Sequence, residues 1–208
     1  MMRRPIETLL VLLVIVSSAC ITVNVPIGGD PASTATVWSV EPERPAPMNV
    51  STRYVVQIKD FTAAQSVQGV QMIVFNGDGT INKSSMDIWS SRPIEMLPDI
   101  LLRDMVSAGA WGAVLRSSTM LPEDMIVEGY VREFGGRVVG EKWEAVIDVD
   151  VTLLDGHTYD LVFQENYRFH WELDSPSYAA LASAMNILVG IWSEEVMSDI
   201  WSSTLPLR

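Results

Sequence analysis

The sequence contains little cysteine, histidine or basic charge. One Cys and two His occur among 208 residues, so zinc and thiol chemistry are effectively excluded and a metal site would need mainly carboxylate ligands. Lys and Arg number 14 against 26 Asp and Glu, and the resulting formal charge of −12 argues against nucleic-acid binding. Hydrophobic residues still make up 48% of the chain, which predicts a folded body of about one domain.

The N-terminus has the pattern of an export signal. Arg3 and Arg4 precede an apolar run from Leu9 to Val16, which is too short for the roughly 20 residues that span a bilayer. Ser17-Ser18-Ala19-Cys20 resembles a bacterial lipobox, with Ser17 where Leu is usual. The resemblance implies that Cys20 receives a diacylglycerol thioether, is cleaved from the preceding residue and is acylated again on its new amino group. The alternative is an ordinary leader or an uncleaved anchor in which Cys20 is incidental.

A proline-rich segment follows the signal. Residues 21–50 contain five prolines and no periodicity of two or 3.6, which is typical of a tether. Val37 and Trp38 are its bulky apolar pair and predict a docking contact with the body. We therefore divide the chain into a lipoprotein signal peptide at 1–19, a lipidated Cys and Pro/Ser/Thr-rich tether at 20–50, and a single α+β domain at 51–208.

Alternating apolar residues predict a sheet in the body. The expected strands lie near residues 54–61, 70–74, 86–89, 113–115, 125–134, 143–153 and 159–169. The last three are expected to form an antiparallel meander joined at Gly135-Gly136 and Asp155-Gly156. In the middle strand of the meander, the alternation points Val149 into the core and points Asp148 and Asp150 to solvent.

Two helices complete the predicted fold. The first runs from Pro93 to Gly109, and Pro98 predicts a kink or a fresh start within it. The second is expected to begin at Ser175-Pro176 and carries an apolar stripe that reaches most of the way to the C-terminus. The predicted fold class is α+β, a largely antiparallel sheet covered on one face by two helices, of which the second is long and C-terminal.

No catalytic motif accompanies the candidate polar residues. His157 and His170 lack a nucleophile elbow, a P-loop or a His-Glu-x-x-His pattern, so a turn and a strand end account for them. Asp148 and Asp150 could hold a cation, but a solvated face is the simpler interpretation. Residues 76–80 resemble part of a calcium loop, yet Ile81 stands where an EF-hand requires Gly, which favours a turn. The predicted catalytic and metal residues are therefore none.

Several motifs of the body occur in an order that resembles a known family. They are Trp89 to Pro93, Val127 to Phe134, Trp143 to Ala145 with Leu153 to Asp155, and Tyr178 to Met185. Together with the lipobox they resemble the auxiliary lipoproteins of ABC-type lipid transport systems, the PqiC-like family. The resemblance covers nearly the whole body.

This resemblance implies a non-enzymatic lipoprotein with no cofactor beyond the covalent lipid on Cys20. It implies an MCE-type (mammalian-cell-entry-type) lipid-carrying protein and inner-membrane permease components as partners, and it leaves formation of a homo-oligomer open. Ile21 stands where an inner-membrane retention signal would place Asp, so we expect the outer membrane, facing the periplasm. A stand-alone envelope lipoprotein with a ligand-binding or structural role is the alternative. A second alternative is a hydrolase that uses His170.

Trp201 is the candidate interface residue. It lies nine positions after Trp192, about 180° round a helix, so both cannot lie centrally on the core face. An exposed Trp is a plausible anchor for a partner protein. The alternative is that Trp201 folds back on the body as a C-terminal latch.

Overall fold

The computed structural model describes residues 34–116 and 121–204. These residues form nine strands, a short 3₁₀ turn and two helices. The strands are β1 (Thr36–Trp38), β2 (Val55–Ile58), β3 (Thr62–Ala63), β4 (Gln71–Phe75), β5 (Ile81–Trp89), β6 (Ala113–Arg116), β7 (Met125–Val139), β8 (Lys142–Asp155) and β9 (Leu161–Glu172). The helices are α1 (Pro93–Ala108) and α2 (Tyr178–Thr204).

The three longest strands form the predicted antiparallel meander. β8 pairs with β7 on one side and with β9 on the other, and the second joint lies at Asp155-Gly156 as expected. The first joint was placed wrongly at Gly135-Gly136, because β7 continues to Val139 and turns at Gly140-Glu141. Gly140 has φ +62°, the left-handed conformation that a two-residue hairpin turn requires.

Gly135 serves close packing rather than a turn. A Cβ atom at this position would lie 2.5 Å from the carbonyl oxygen of Ile73 in β4. Beside it, β4 pairs in parallel with β7 through Val74 and Gly136. Gly135 therefore lets the backbone of β4 approach, which is the other common reason for Gly inside a strand.

The sheet is mixed, so the expectation of a largely antiparallel sheet was partly wrong. Along the edge of β7 opposite β8, the strands β2, β3 and β4 all pair with it in parallel. β6 pairs in parallel with β2, and β1 with β5, while β4 and β5 form an antiparallel hairpin. The parallel pairings join segments that are distant in sequence, where no local turn reveals the relative direction of the strands.

The first helix begins and ends where the sequence predicts, but it is not broken. Pro93 occupies its first turn, and Gly109 ends it with φ +64°. Pro98 was expected to kink it or to start a fresh helix, and the fresh start does not occur, because one helix of 16 residues runs through this position. Pro98 is the sixth residue of the helix, and its ring removes one backbone hydrogen bond, the one that its amide would donate to the carbonyl of Ile94.

The second helix starts later than predicted. Ser177, rather than Ser175-Pro176, precedes its first turn, and its Oγ accepts a hydrogen bond from the amide of Ala180 at 3.2 Å. The expected stripe is buried along the helix and includes Leu181, Met185, Leu188, Val189, Trp192, Val196 and Ile200. Within the residues that the structure describes, neither helix is long and apolar enough to cross a membrane.

The core lies between the helices and one face of the sheet. Ala145, Ile147, Val149, Val151 and Leu153 of β8 are all fully buried, which confirms the predicted apolar face. Two T-shaped aromatic pairs also fill this core, Phe61 with Trp192 and Trp89 with Phe134. Such pairs stabilise by about 0.5–1.5 kcal/mol beyond the area that they bury.

Part of the predicted tether lies on the body. Trp38 ends β1, and its Nε1 donates to Asp87 Oδ1 at 3.0 Å, which confirms the predicted docking contact for Trp38, whereas the Val37 side chain is exposed. Val40 is buried, and the amide of Met48 donates to the carbonyl of Ala108 at 2.8 Å. The prolines of this segment do not prevent docking, because an extended chain can be bound through a few side chains and amides.

Candidate functional site

One of the two site residues expected from the sequence falls within the residues that the structure describes. Cys20 lies outside the residues that the structure describes. Trp201 is half-buried near the end of α2, where its ring meets that of Trp111 edge to face, with centroids 6.2 Å apart. This contact agrees with the latch, and the role of Trp201 as an interface residue stays a prediction.

The open face of the meander holds a network of charged side chains. Asp148 is only 6% exposed, so the expectation that it points freely into solvent was wrong. Asn166 Nδ2 donates to Asp148 Oδ1 at 2.7 Å and to Asp150 Oδ1 at 2.9 Å. Arg168 lies beside Asp148 at 3.6 Å, and Arg132 pairs with Asp150 at 2.6 Å. Protein donors therefore satisfy the two carboxylates that could have held a cation.

The two histidines lie in separate environments. His157 is in the loop between β8 and β9, with its Nε2 3.4 Å from Asp124 Oδ1. The amides of Thr158 and His157 donate to the Asp155 carboxylate at 2.9 and 2.8 Å, and these bonds lower the pKa of Asp155. His170 lies on the open face of β9, far along the strand from this loop. The histidines are thus accounted for by a turn and a strand end, as expected.

The segment between β4 and β5, which resembles part of a calcium loop in the sequence, forms a turn held by local hydrogen bonds. The Thr80 hydroxyl and amide donate to Asp78 Oδ1 at 2.7 and 2.9 Å, and these two bonds lower the pKa of Asp78. Asn76 Nδ2 donates to the same threonine at 2.8 Å. Across residues 34–116 and 121–204, no three Asp, Glu, His or Cys side chains are grouped as a metal ion would require.

Within the described part of the chain, clefts border the meander at three places. One of about 570 Å³ lies at the ends of β8 and β9, and we call it the indole cleft. It is lined by Glu141, Lys142, Trp143, Trp171, Glu172 and Asp174, with the residues that lead into α2. A second, of about 380 Å³, lies on the open face beside Arg137, Arg168 and His170. A third, of about 420 Å³, adjoins Tyr130, Asp150 and Gln164.

Sequence reasoning missed the indole cleft, although part of the signal was present. The motifs that we noted in the sequence include Trp143 but not Trp171. Pairing of β8 with β9 places Trp171 opposite Ala145, two residues from Trp143 on the same face. The hairpin joint at Asp155-Gly156 predicts only that β8 and β9 are neighbours, because their register depends on the longer loop that the structure shows between Asp155 and Leu161.

Fold and surface together define an α+β domain in which two helices cover one face of a mixed sheet. Its network of charged side chains lies on the other face, and the indole cleft lies at one end of the meander. Residues 39–197 match the family model described as ABC-type transport auxiliary lipoprotein component. The chain belongs to this family, which confirms the resemblance seen in the sequence. Members are auxiliary lipoprotein components of ABC-type transport, so an envelope lipoprotein is the class of protein to which this chain belongs.

Solved structures show the same fold at low sequence identity. A protein from Xanthomonas campestris matches with a TM-score of 0.72 and 18% identity, over 81% of this chain and 96% of that one. An uncharacterized protein gives 0.63 and 15%, over 80% and 99% of the two chains. A hypothetical protein from Chlamydia trachomatis gives 0.51 and 10%, over 73% and 98%. No curated protein matches the sequence significantly.

Proposed function

We propose that this chain is a non-enzymatic, membrane-anchored component of an intermembrane lipid transport system. Its partners would be an MCE-type lipid-carrying protein and inner-membrane permease components. The observation that carries the proposal is the family match over residues 39–197, which runs from just after β1 to the last turns of α2. The match therefore covers the folded body and not merely a local motif.

Anchoring is proposed to occur through acyl chains on Cys20. Several chains hold a protein stably to a bilayer, whereas one gives marginal binding. A formal charge of −12 offers no attraction to an anionic surface, so the lipid must supply the affinity. Thr34 is the first described residue and follows Cys20 by 14 positions. A chain of this length reaches at most about 50 Å, which limits the distance between the lipid anchor and Thr34.

A supporting role rather than catalysis agrees with how the polar groups are used. Asp148 and Asp150 are bound by Asn166 and by arginines, and His157 faces Asp124 in an exposed loop. Groups held in this way stabilise the face that they share. The energy for transport would then come from the partner proteins.

Fractionation of the host membranes tests the anchor and its location. Cys20→Ala should release a folded protein into the periplasmic fraction, while the wild-type protein stays with the outer membrane. Ile21→Asp is the matched control, because it keeps the lipid and should move the protein to the inner membrane. Retention of Cys20→Ala in the membrane fraction would contradict lipid anchoring.

Crosslinking in cells tests the partners. Photoreactive residues placed at exposed positions of the body should capture the MCE-type protein, and loss of the lipoprotein should impair lipid movement between the membranes. Products made only with unrelated envelope proteins, together with normal lipid movement, would favour the stand-alone lipoprotein. A hydrolytic activity lost on His170→Ala would instead revive the enzyme alternative.

A further inference from the structure

The indole cleft brings two tryptophans together at the end of an antiparallel strand pair. Trp171 lies opposite Ala145, and the amide of Leu173 donates to the carbonyl of Trp143 at 2.9 Å. The two indoles are therefore diagonal neighbours on one face, within reach of one another. Trp171 is 46% exposed although it belongs to the face that the helices cover farther along the strand. The structure thus leaves a large aromatic surface uncovered inside a cleft.

The ring of Trp143 is held in place by a neighbouring aromatic ring. Trp143 meets the ring of Tyr178 in the first turn of α2, with centroids 5.6 Å apart and an interplanar angle of 71°. Packing of this kind fixes the orientation of an indole before any ligand arrives, and it reduces the entropy lost on binding. Trp143 is consequently a preorganised wall of the cleft, and Trp171 is the accessible wall.

The charges around the cleft are not balanced. Glu141, Glu172 and Asp174 line it together with the single cation Lys142, which leaves a formal charge of −2. Lys142 Nζ donates to Glu172, so this ammonium is already occupied by one of the three carboxylates. The N-terminus of α2 would oppose a nearby cation, but its effect falls off within one turn and Ser177 caps it. The cleft therefore favours a cationic guest and disfavours a free anion.

Two indoles beside carboxylates are the combination that recognises organic cations. The face of an indole attracts an ammonium group through its quadrupole, most strongly when water is excluded. A bare divalent metal would instead require several oxygen ligands converging on one point. The volume of about 570 Å³ lies within the range of small-molecule sites.

We propose that the indole cleft binds an alkylammonium group of the kind carried by choline and ethanolamine. Trp171 and Trp143 would supply the aromatic faces, and Glu141 and Asp174 the compensating charge. The group could belong to a free amine or to the head group of a zwitterionic lipid. The second source rests on the proposed lipid transport function, whereas the first does not.

The test uses the mature lipoprotein in maltoside micelles, labelled with 5-fluorotryptophan. The sequence contains seven Trp, so its fluorine spectrum has seven lines that single Trp→Phe variants assign. Choline should shift the lines of Trp143 and Trp171 and leave that of Trp192 in place. The neutral analogue 3,3-dimethylbutanol has the shape of choline without its charge, and it should produce no comparable shift.

Variants separate cation binding from a general solvent effect. Trp171→Ala should weaken choline binding about tenfold, as loss of one partly desolvated cation–π contact implies. Asp174→Asn should weaken it less. Tyr159→Ala removes another exposed aromatic residue at the far end of β9 and should leave binding unchanged. Equal shifts by the neutral analogue, or full binding by Trp171→Ala, would overturn the proposal.

A lipid arm distinguishes the two sources of the ammonium group. Phosphatidylcholine added to the maltoside micelles should compete with choline for the two indole lines if the cleft takes a lipid head group, and phosphatidylglycerol added in the same way should not. Choline binding without competition by phosphatidylcholine assigns the cleft to a free amine. Absence of choline binding rejects the cleft proposal while leaving the crosslinking and fractionation results, which test the transport function, unaffected.

Discussion

Ser193 Oγ in α2 donates a hydrogen bond of 2.8 Å to Asp104 Oδ2 in α1, and both residues are buried. Arg103 Nε donates to the other carboxylate oxygen at 2.7 Å. The two helices are thus joined by a charge-assisted bond inside an otherwise apolar contact. A buried carboxylate is tolerated there because each of its oxygens has a donor.

The first prediction concerns this bond. Ser193→Ala should lower the free energy of unfolding by about 1–3 kcal/mol, because one oxygen of a buried carboxylate loses its donor. Ser183→Ala is the matched control on an exposed part of the same helix, where the hydroxyl donates only to the carbonyl of Ala179. Urea denaturation measures both. Equal and small losses would show that water replaces the Ser193 hydroxyl.

A second prediction follows from the burial of Asp148. Asp148→Ala should destabilise the protein by about 1–3 kcal/mol, because the Asn166 amide loses one of its two acceptors and Arg168 loses its partner. Val149→Asp should cost several kcal/mol, since it buries a charge in the apolar core. Glu128→Ala changes an exposed carboxylate of β7 and should have little effect. A thermal melt of Asp148→Ala like that of Glu128→Ala would show that the network contributes little.

Asp148 also shows where sequence reasoning succeeds and where it stops. Alternation along β8 correctly predicts which face Val149 occupies, because side-chain period is a local property of a strand. It cannot predict that Asn166 and Arg168, from the next strand, cover the carboxylate on the other face. That information lies in the register of β8 against β9.

The same distinction applies to topology and to the candidate site. Turn residues at Asp155-Gly156 correctly predict a hairpin, whereas the parallel pairing of β2 with β7 joins segments far apart in sequence. The candidate-site residues show the same difference between local and long-range information. Trp201 could be placed on its helix from spacing, but its contact with Trp111 depends on how α2 packs. The lipid on Cys20 stays a prediction from the signal sequence.

A third prediction concerns alkaline pH. Burial, and then the hydrogen bond that Tyr167 donates to Asp199 Oδ2 at 2.6 Å, raise the pKa of Tyr167 above its usual value. The folded state therefore keeps a proton that the unfolded state loses above about pH 10, so this contribution is present below that pH and falls as pH rises. Tyr167→Phe should flatten the loss of stability above that pH. Unchanged pH dependence in urea denaturation would count against the contact, and Tyr159→Phe provides an exposed control.

The fourth prediction tests the close approach at Gly135. Gly135→Ala should destabilise by about 1–3 kcal/mol, because its Cβ would lie 2.5 Å from the Ile73 carbonyl oxygen and a backbone would have to shift. Gly77→Ala is the control, since a Cβ there meets no atom within 4 Å. Differential scanning calorimetry compares the two. Melting temperatures that fall together would mean that β4 adjusts freely to β7.

The last prediction decides between the two hypotheses for Trp201. Its ring meets Trp111 edge to face, and both rings contact the core, so the structure favours a latch that holds the end of α2 on the body. Trp201→Ala should lower the free energy of unfolding by about 1–3 kcal/mol, through lost burial and a lost aromatic contact. Trp201→Phe should recover much of it, because a smaller ring still meets Trp111. Capture of the lipid-carrying partner should then weaken only in proportion to the unfolded fraction. A Trp201→Ala variant that keeps the wild-type melting temperature but fails to capture the partner would instead make Trp201 an interface anchor.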